Sequence, residues 1–278
     1  MTAPTPIRWH AALGYVLLAV LGSFGAQLLA ALVRTTRGLD LTSAAAAVQR
    51  DPLSLGLAQL FGFGLALAVA RRVHARGPRR EVYALAPSST PVVMLAGLAG
   101  VVLQLPLAEV GNLMHELFGR DAAHARAVQD LLRADSAFDG FAVALALVVI
   151  APMTEELLFR GVLLPGLAEA YGERLGLVVS AVLFGVMHGR PAEAVVATAA
   201  GFVLGALRLR TRSLLPCVAL HVGVNALPVL VPADVFPIPG VNMWSDEILH
   251  VPPEKVVAAA AAAALALVMA MRFDDVRR

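Results

Sequence analysis

Long apolar runs alternate with short polar segments along most of the chain, and the polar segments hold most of the charged residues. A run of about 20 apolar residues can cross the hydrocarbon core of a bilayer as an α-helix. The pattern therefore predicts an all-α fold, a polytopic transmembrane helical bundle with about eight membrane-spanning helices. The predicted spans are 11–33, 53–70, 91–110, 141–167, 175–188, 194–207, 214–231 and 256–271. We interpret 1–278 as a single integral membrane domain whose N-terminal helices lie within 11–110.

Three polar segments between these spans have patterns of their own. An alanine-rich piece within 34–52 is typical of a short interfacial helix, and leucines at helical spacing in 111–140 predict an amphipathic surface helix. A proline-rich loop follows residue 231, with Trp244 as a candidate anchor at the membrane interface. The first span is too long for a signal-peptide core and is expected to remain as a membrane helix.

Composition and charge narrow the class of protein. The chain is 59% hydrophobic and 15% charged, whereas a soluble domain has about a quarter of its residues charged. Basic residues are dispersed among apolar spans without a long single-face stripe, so nucleic acid is not an expected partner. The single cysteine, Cys217, excludes an intramolecular disulfide.

With eight spans and an inner N-terminus, 14 of the 22 basic residues fall on the inner side and 8 on the outer side. This bias predicts a multi-pass protein of the cell membrane with both termini in the cytoplasm.

The span 141–167 carries charged residues where a membrane helix ordinarily has none. Glu155, Glu156 and Arg160 lie inside it. Ionised groups in hydrocarbon cost at least a few kcal/mol each, so they usually face a cavity or a partner. Glu156 and Arg160 are four residues apart and can pair across one helical turn, whereas Glu155 points about 100° away. Glu155 is therefore expected to face a different part of the protein.

Two of the seven histidines fall in or at the edge of apolar spans. His188 shares a helix face with Phe184, and His221 shares one with Asn225. A carboxylate in a medium of low dielectric constant can act as a general base near neutral pH, and imidazole or amide groups can orient water or stabilise an oxyanion. We therefore predict a shared hydrolytic site with Glu155, His188, His221 and Asn225 as catalytic candidates. Supporting residues are predicted to be Glu156, Arg160 and Phe184.

The three clusters also carry a resemblance to a known family. In chain order they read Glu155-Glu156-x-x-x-Arg160, Phe184-x-x-x-His188 and His221-x-x-x-Asn225. Together they resemble the motifs of the CPBP family, the CAAX prenyl proteases and bacteriocin-processing proteins, over about 141–231. The resemblance implies an all-helical intramembrane endopeptidase. It also implies that Glu155 and His188 activate a water molecule, and that His221 and Asn225 stabilise the oxyanion.

Whether a metal takes part stays open from the sequence. Family members are often described as metalloproteases, and Glu155, His188 and His221 form an acceptable set of three zinc ligands. No His-Glu-x-x-His motif is present, and Glu156 and Asn225 fit direct water activation equally well. No cofactor is therefore firmly implied, and a divalent metal such as zinc is an alternative.

The expected partners are the lipid bilayer and a peptide or membrane-protein substrate, prenylated or not. Two alternatives to a protease remain: a transporter that uses the same polar residues as an ion path, and a non-catalytic immunity or assembly factor. Transporters often have two related halves, and no internal repeat is visible here.

One expectation conflicts with the others. If straight helices begin at Phe141 and Leu175, Glu155 and His188 lie at depths that differ by about 12 Å. Shifted helix boundaries, or a kink at Pro152, are needed to bring them together.

Overall fold

A computed structural model describes residues 5–74, 87–133, 136–231, 233, 236–243, 245 and 247–275. Helices make up nearly all of this part of the chain, and it contains no strand. In chain order they are α1 (Trp9–Thr35), α2 (Leu41–Gln49), α3 (Pro52–His74), α4 (Thr90–Phe118), α5 (Ala122–Leu132), α6 (Ala137–Tyr171), α7 (Glu173–Val186), α8 (Pro191–Thr211), α9 (Leu215–Leu230) and α10 (Pro253–Asp275). The predicted all-α membrane bundle is confirmed.

The number of full spans differs from the sequence prediction. Each of the eight apolar runs forms a helix, but only α1, α3, α4, α6, α8 and α10, among the described residues, are long and apolar enough to cross a membrane. Helix α7 has 14 residues and α9 has 16, which corresponds to about 21 and 24 Å. A bilayer core is about 30 Å thick, so neither helix spans it alone. Helix α9 carries His221 into the interior of the bundle, whereas His188 follows the end of α7 and is exposed.

The polar segments agree in part with their predictions. Helix α2 forms in the alanine-rich segment, and α5 forms in the segment predicted to be amphipathic. The third predicted span ends too early, because α4 continues without a break to Phe118. Trp244 lies outside the described residues, as do several arginines of the predicted inner face, Arg76, Arg79, Arg80, Arg277 and Arg278.

Helix α6 has 35 residues and is not a regular α-helix throughout. Two π-helical segments, Ala144–Ile150 and Leu157–Leu163, enclose a short α-helical segment, Ala151–Glu156. Pro152, which we expected to kink the helix, is the second residue of that short segment. Proline lacks an N–H group, and a change of helix type absorbs its missing hydrogen bond without ending the helix. Both glutamates of the candidate site therefore lie between two stretches of wider helix.

Contacts near the helix ends show which ends share a face of the bundle. Near the N-terminus, the Ile7 N–H donates to the Gly166 carbonyl at 2.8 Å, close to the end of α6. His250, just before α10, binds Glu109 near the end of α4 at 2.7 Å. Gly111, near the end of α4, lies against Val196, near the start of α8, and α8 is antiparallel to α7, which turns back from the end of α6. The ends of α4 and α6 therefore lie on opposite faces. Helix α10 thus starts on the face opposite to the start of α1 and ends on the same face as that start. The N-terminal end of α1 and the C-terminal end of α10 therefore lie on the same side of the bundle.

Close helix crossings place α9 against α4. At Gly100 an added Cβ would collide with the Leu220 carbonyl, and at Gly223 with the Gly97 carbonyl. Glycine lets the two backbones approach closely, as is common between membrane helices. The crossing fixes α9, and with it His221, against the wall of the bundle formed by α4.

Candidate active site

Glu156 and Arg160 form the ion pair that their spacing predicts. The Arg160 Nη1 atom donates to Glu156 Oε1 at 2.9 Å, and both side chains are completely buried. A second guanidinium nitrogen, Nη2, donates to the Gly201 carbonyl on α8 at 3.1 Å. The pair therefore neutralises two charges inside the bundle and joins α6 to α8.

Glu156 also holds one of the candidate histidines, which the sequence did not indicate. The His221 Nδ1 atom lies 2.9 Å from Glu156 Oε1, and its Nε2 atom lies 3.8 Å from Glu155 Oε2. A proton on Nδ1 makes this nitrogen the donor to Glu156 and leaves the lone pair on Nε2 facing Glu155. The distance to Glu155 exceeds that of a hydrogen bond, so a gap separates the carboxylate from the ring nitrogen.

Phe184 is the aromatic centre of the site. Its ring centroid lies 5.3 Å from that of His188 and 5.7 Å from that of His221. The Arg160 guanidinium lies 4.4 Å from the same centroid, within the range of a cation–π interaction. The Phe184 carbonyl lies 2.8 Å from His188 Nδ1. This contact orients the ring with Nε2 directed away from the helix backbone. Phe184 therefore sets the positions of both imidazoles.

Asn225 faces the same interior but has a backbone partner. Its Nδ2 atom donates to the Leu147 carbonyl at 2.9 Å, and Leu147 belongs to the first π-helical segment of α6. An amide nitrogen carries two hydrogens, so one N–H remains for another acceptor. A role for Asn225 at an oxyanion stays a prediction.

The predicted mismatch in depth between Glu155 and His188 does not occur. Helices α6 and α7 form an antiparallel hairpin that turns at Gly172, where φ is +82°. Glu155 precedes this turn by 17 residues and His188 follows it by 16, so both lie at similar depth. Glu155, of which 9% is exposed, interacts electrostatically with both His188 and His221. The structure thus places Glu155, His188 and His221 near one another.

A cavity of about 350 Å³ reaches the site from between α4, α7, α8 and α9, and His188, His221 and Asn225 are in its wall. A second cavity of about 350 Å³ shares part of this wall and continues towards α5. The shared residues are Asn112, His115, Ala192, Glu193, Gly240 and Val241. They lie at the end of α4, the start of α8 and the loop after α9. This face is opposite to the one that holds the N-terminal end of α1 and the C-terminal end of α10. The path to the site therefore opens on that face.

The comparison with known families agrees with the geometry. A family described as type II CAAX prenyl endopeptidase Rce1-like matches residues 137–227. The resemblance to the CPBP family is confirmed. All seven motif residues of the candidate site, from Glu155 to Asn225, lie within the matched stretch.

A curated relative also carries the name of a membrane peptidase. It carries the name "Putative membrane peptidase YdiL", comes from Bacillus subtilis (strain 168), and is 26% identical over 125 residues. The aligned part covers 43% of this chain and 48% of the relative, so the chain spans about half the length of the protein it matches. No solved structure matches the chain. The CPBP resemblance therefore supports a membrane peptidase in general.

The structure adds a residue that lies outside the CPBP-like stretch. Gln59, on α3, donates from Nε2 to Glu155 Oε1 at 3.1 Å. The sequence holds one signal for it, since Gln59 is the single strongly polar side chain within the predicted span 53–70 apart from Ser54. That signal does not identify its partner, because Glu155 is 96 residues away.

The candidate zinc ligands do not form a metal-binding group in this conformation. Among the described residues, no cluster of three or more His, Cys, Asp or Glu side chains has an arrangement able to hold a metal ion. One nitrogen of each imidazole is already engaged, His188 Nδ1 by a carbonyl and His221 Nδ1 by Glu156. The remaining atoms of Glu155, His188 and His221 surround the site without converging on one point.

Proposed function

We propose that this protein is an intramembrane endopeptidase that hydrolyses a peptide bond of a membrane-associated or lipidated protein or peptide. The observation that carries the proposal is a buried carboxylate, Glu155, that faces two imidazoles beside a cavity. The similarity of residues 137–227 to CAAX prenyl endopeptidases supports the same activity.

The proposed reaction begins with a water molecule between Glu155 and His188. Glu155 accepts one proton from the water, and the oxygen attacks the carbonyl carbon of the scissile peptide bond. The carbonyl oxygen becomes an oxyanion, for which Asn225 and His221 are the proposed hydrogen-bond donors. His221 donates from Nε2 in the form that carries a proton on both ring nitrogens, with Nδ1–H still bound to Glu156. Glu155 then returns the proton to the leaving amine as the carbon–nitrogen bond breaks. Glu156 keeps His221 oriented throughout, because it holds the other ring nitrogen.

The proposed activity is tested by comparing the peptides of membranes and medium from cells with the intact protein and from cells with Glu155→Ala. Peptide fragments that are present only with the intact protein would identify both the substrate and the cleaved bond. If the two peptide populations are identical under all growth conditions, the protein is not a peptidase. That result would favour a non-catalytic membrane factor or a transporter.

Direct water activation predicts insensitivity to chelators. Activity of the purified protein is expected to survive exhaustive treatment with a strong chelator, and to fall at low pH when Glu155 becomes protonated. The measurement is cleavage of the identified peptide before and after chelation, together with the metal content of the protein. About one zinc per chain, lost in both His188→Ala and His221→Ala, would instead establish a metalloenzyme.

We further propose that the substrate enters from the face opposite to the chain termini. The two cavities open on that face, where the polar side chains His115, His124, Arg190 and Glu193 are in their walls. A polypeptide segment needs polar groups at such an entrance, because its backbone N–H and C=O groups must stay hydrogen-bonded as it leaves water. With cytoplasmic termini, as the arginine distribution predicts, this face is the outer one.

Cysteine labelling tests this orientation. Cys217 is the single native cysteine and is buried, so a cysteine introduced at the surface reports its own position. In intact cells, Val241→Cys in the cavity wall is expected to react with a membrane-impermeant maleimide. Glu173→Cys, at the exposed start of α7 on the other face, is expected to react only after the cells are opened. A reporter that is active only in the cytoplasm should give a signal when fused after Arg278. The reverse labelling pattern would contradict the orientation.

A further inference from the structure

We propose that Gln59 is a positioning residue for the general base Glu155, supplied by a helix outside the stretch that resembles the CPBP family. The family match begins at residue 137, whereas α3 covers Pro52–His74. The proposal rests on the proposed function, since it assigns Gln59 a role in the reaction that Glu155 performs.

The hydrogen-bond network fixes the orientation of the Gln59 amide. Its Nε2 atom lies 3.1 Å from Glu155 Oε1 and 3.4 Å from Thr154 Oγ1. The Thr154 hydroxyl donates to the backbone, 2.9 Å from the Ile150 carbonyl, so its oxygen accepts from Gln59. Turning the amide by 180° would place its oxygen against a carboxylate oxygen and lose both bonds. Gln59 is therefore a donor to Glu155.

Because of this bond, the two oxygens of Glu155 have different partners. Oε1 accepts from Gln59, and Oε2 faces His221 Nε2 across 3.8 Å. A carboxylate without the first contact can rotate about its terminal bonds, whose torsional wells are broad. Gln59 therefore keeps one oxygen directed towards the imidazoles, where the reacting water must lie.

The packing of α3 holds Gln59 in place. One turn before it, Gly56 lies against α6, where an added Cβ would meet Ile150 at 3.3 Å and Ala146 at 3.4 Å. One turn after it, Gly62 crosses α1 so closely that an added Cβ would collide with the Ala19 carbonyl. The amide thus projects from a helix that is fixed on both sides, which suits a group that must orient another.

The charged and titratable groups that act on Glu155 belong to elements other than α3. His188 and His221 belong to the α7 and α9 side, whereas Glu156 and Arg160 follow on α6 itself. Gln59 approaches from α3 and carries no charge, so it donates to the carboxylate at every pH at which the protein is folded. A glutamic acid in its place donates only when it is protonated.

The test compares two substitutions of Gln59 in the purified full-length protein. The assay is cleavage of a synthetic peptide that spans the bond identified in the Glu155→Ala comparison. Gln59→Leu, which keeps the size and removes the donor, is expected to lower kcat by about 10- to 100-fold and to change KM less than twofold. Gln59→Glu is expected to recover activity as the pH is lowered, the opposite of the trend of the intact protein in that range. Gln49→Leu, the same substitution on the exposed end of α2, is the matched control and should keep full activity.

The outcomes separate this proposal from the proposed function. If Glu155→Gln is inactive and Gln59→Leu is folded with an unchanged kcat, Gln59 does not position the base, although the peptidase assignment stands. Equal losses for Gln59→Leu and Gln59→Glu at every pH would show a packing role alone, which also overturns the proposal. If Gln59→Leu does not accumulate, the pH dependence of Gln59→Glu decides. Absence of cleavage by the intact protein removes both assignments.

Discussion

Replacing Glu155 by glutamine is expected to lower the rate of peptide cleavage by about 10²- to 10⁴-fold, the usual contribution of a general base. The amide has the shape of the carboxylate but cannot accept a proton from water. The variant should remain folded, because the glutamine oxygen still accepts from Gln59 at the place of Glu155 Oε1. The measurement is the single-turnover rate on the identified peptide, with thermal unfolding in detergent as the test of folding.

Glu169→Gln is the matched control for this prediction. Glu169 lies on the same helix, α6, but is exposed and far from the imidazoles. The control should keep the activity and the unfolding temperature of the intact protein. A Glu155→Gln variant that turns over peptide at a rate close to that of the intact protein would show that another group takes the proton.

Much of the site could be predicted from sequence because charge is rare in apolar helices. The four-residue spacing of Glu156 and Arg160 predicted their ion pair, which the structure confirms at 2.9 Å. The three polar clusters were expected to meet, and Phe184 contacts both histidines. Such predictions depend only on local helical geometry and on the cost of leaving an ionised group without a partner.

The depth of these residues could not be predicted in the same way. Measuring from Phe141 placed Glu155 too far from His188, because α6, at 35 residues, is much longer than a bilayer is thick. Distance from the start of such a helix does not give depth in the membrane. Distance from the turn at Gly172, which α6 and α7 share, does.

Other features have no clear sequence signal. A π-helical segment differs from an α-helix by its hydrogen-bond pattern and not by a recognisable composition. The bond between Asn225 and the Leu147 carbonyl in such a segment was therefore not foreseen. Nor was the bond from Gln59 to Glu155, which depends on how α3 packs against α6. Contacts between distant helices need the tertiary structure.

The ion pair leads to the second large effect, on stability. Arg160→Ala is expected to lower the free energy of unfolding by about 3–5 kcal/mol, the usual cost of leaving one partner of a buried pair alone. Arg160 is completely buried, and its loss strands the carboxylate of Glu156. It also removes the donor to the Gly201 carbonyl and the cation over the Phe184 ring. The measurement is the unfolding midpoint in detergent and the amount of protein in the membrane. Arg174→Ala, at the exposed start of α7, is the control and should change neither.

A double substitution distinguishes the charge of Arg160 from its volume. Glu156→Gln with Arg160→Met removes both charges and keeps most of the buried side-chain volume, so it should regain most of the stability lost in Arg160→Ala. The glutamine oxygen at position 156 can still accept from His221 Nδ1, which lies 2.9 Å from the Glu156 oxygen that it replaces. The double variant is therefore expected to keep measurable cleavage, whereas Arg160→Ala loses activity together with folded protein. Normal accumulation and unfolding of Arg160→Ala would contradict a structural role of the pair. The charge of Glu156 would then be neutralised by His221 alone, which is the second partner that the structure provides.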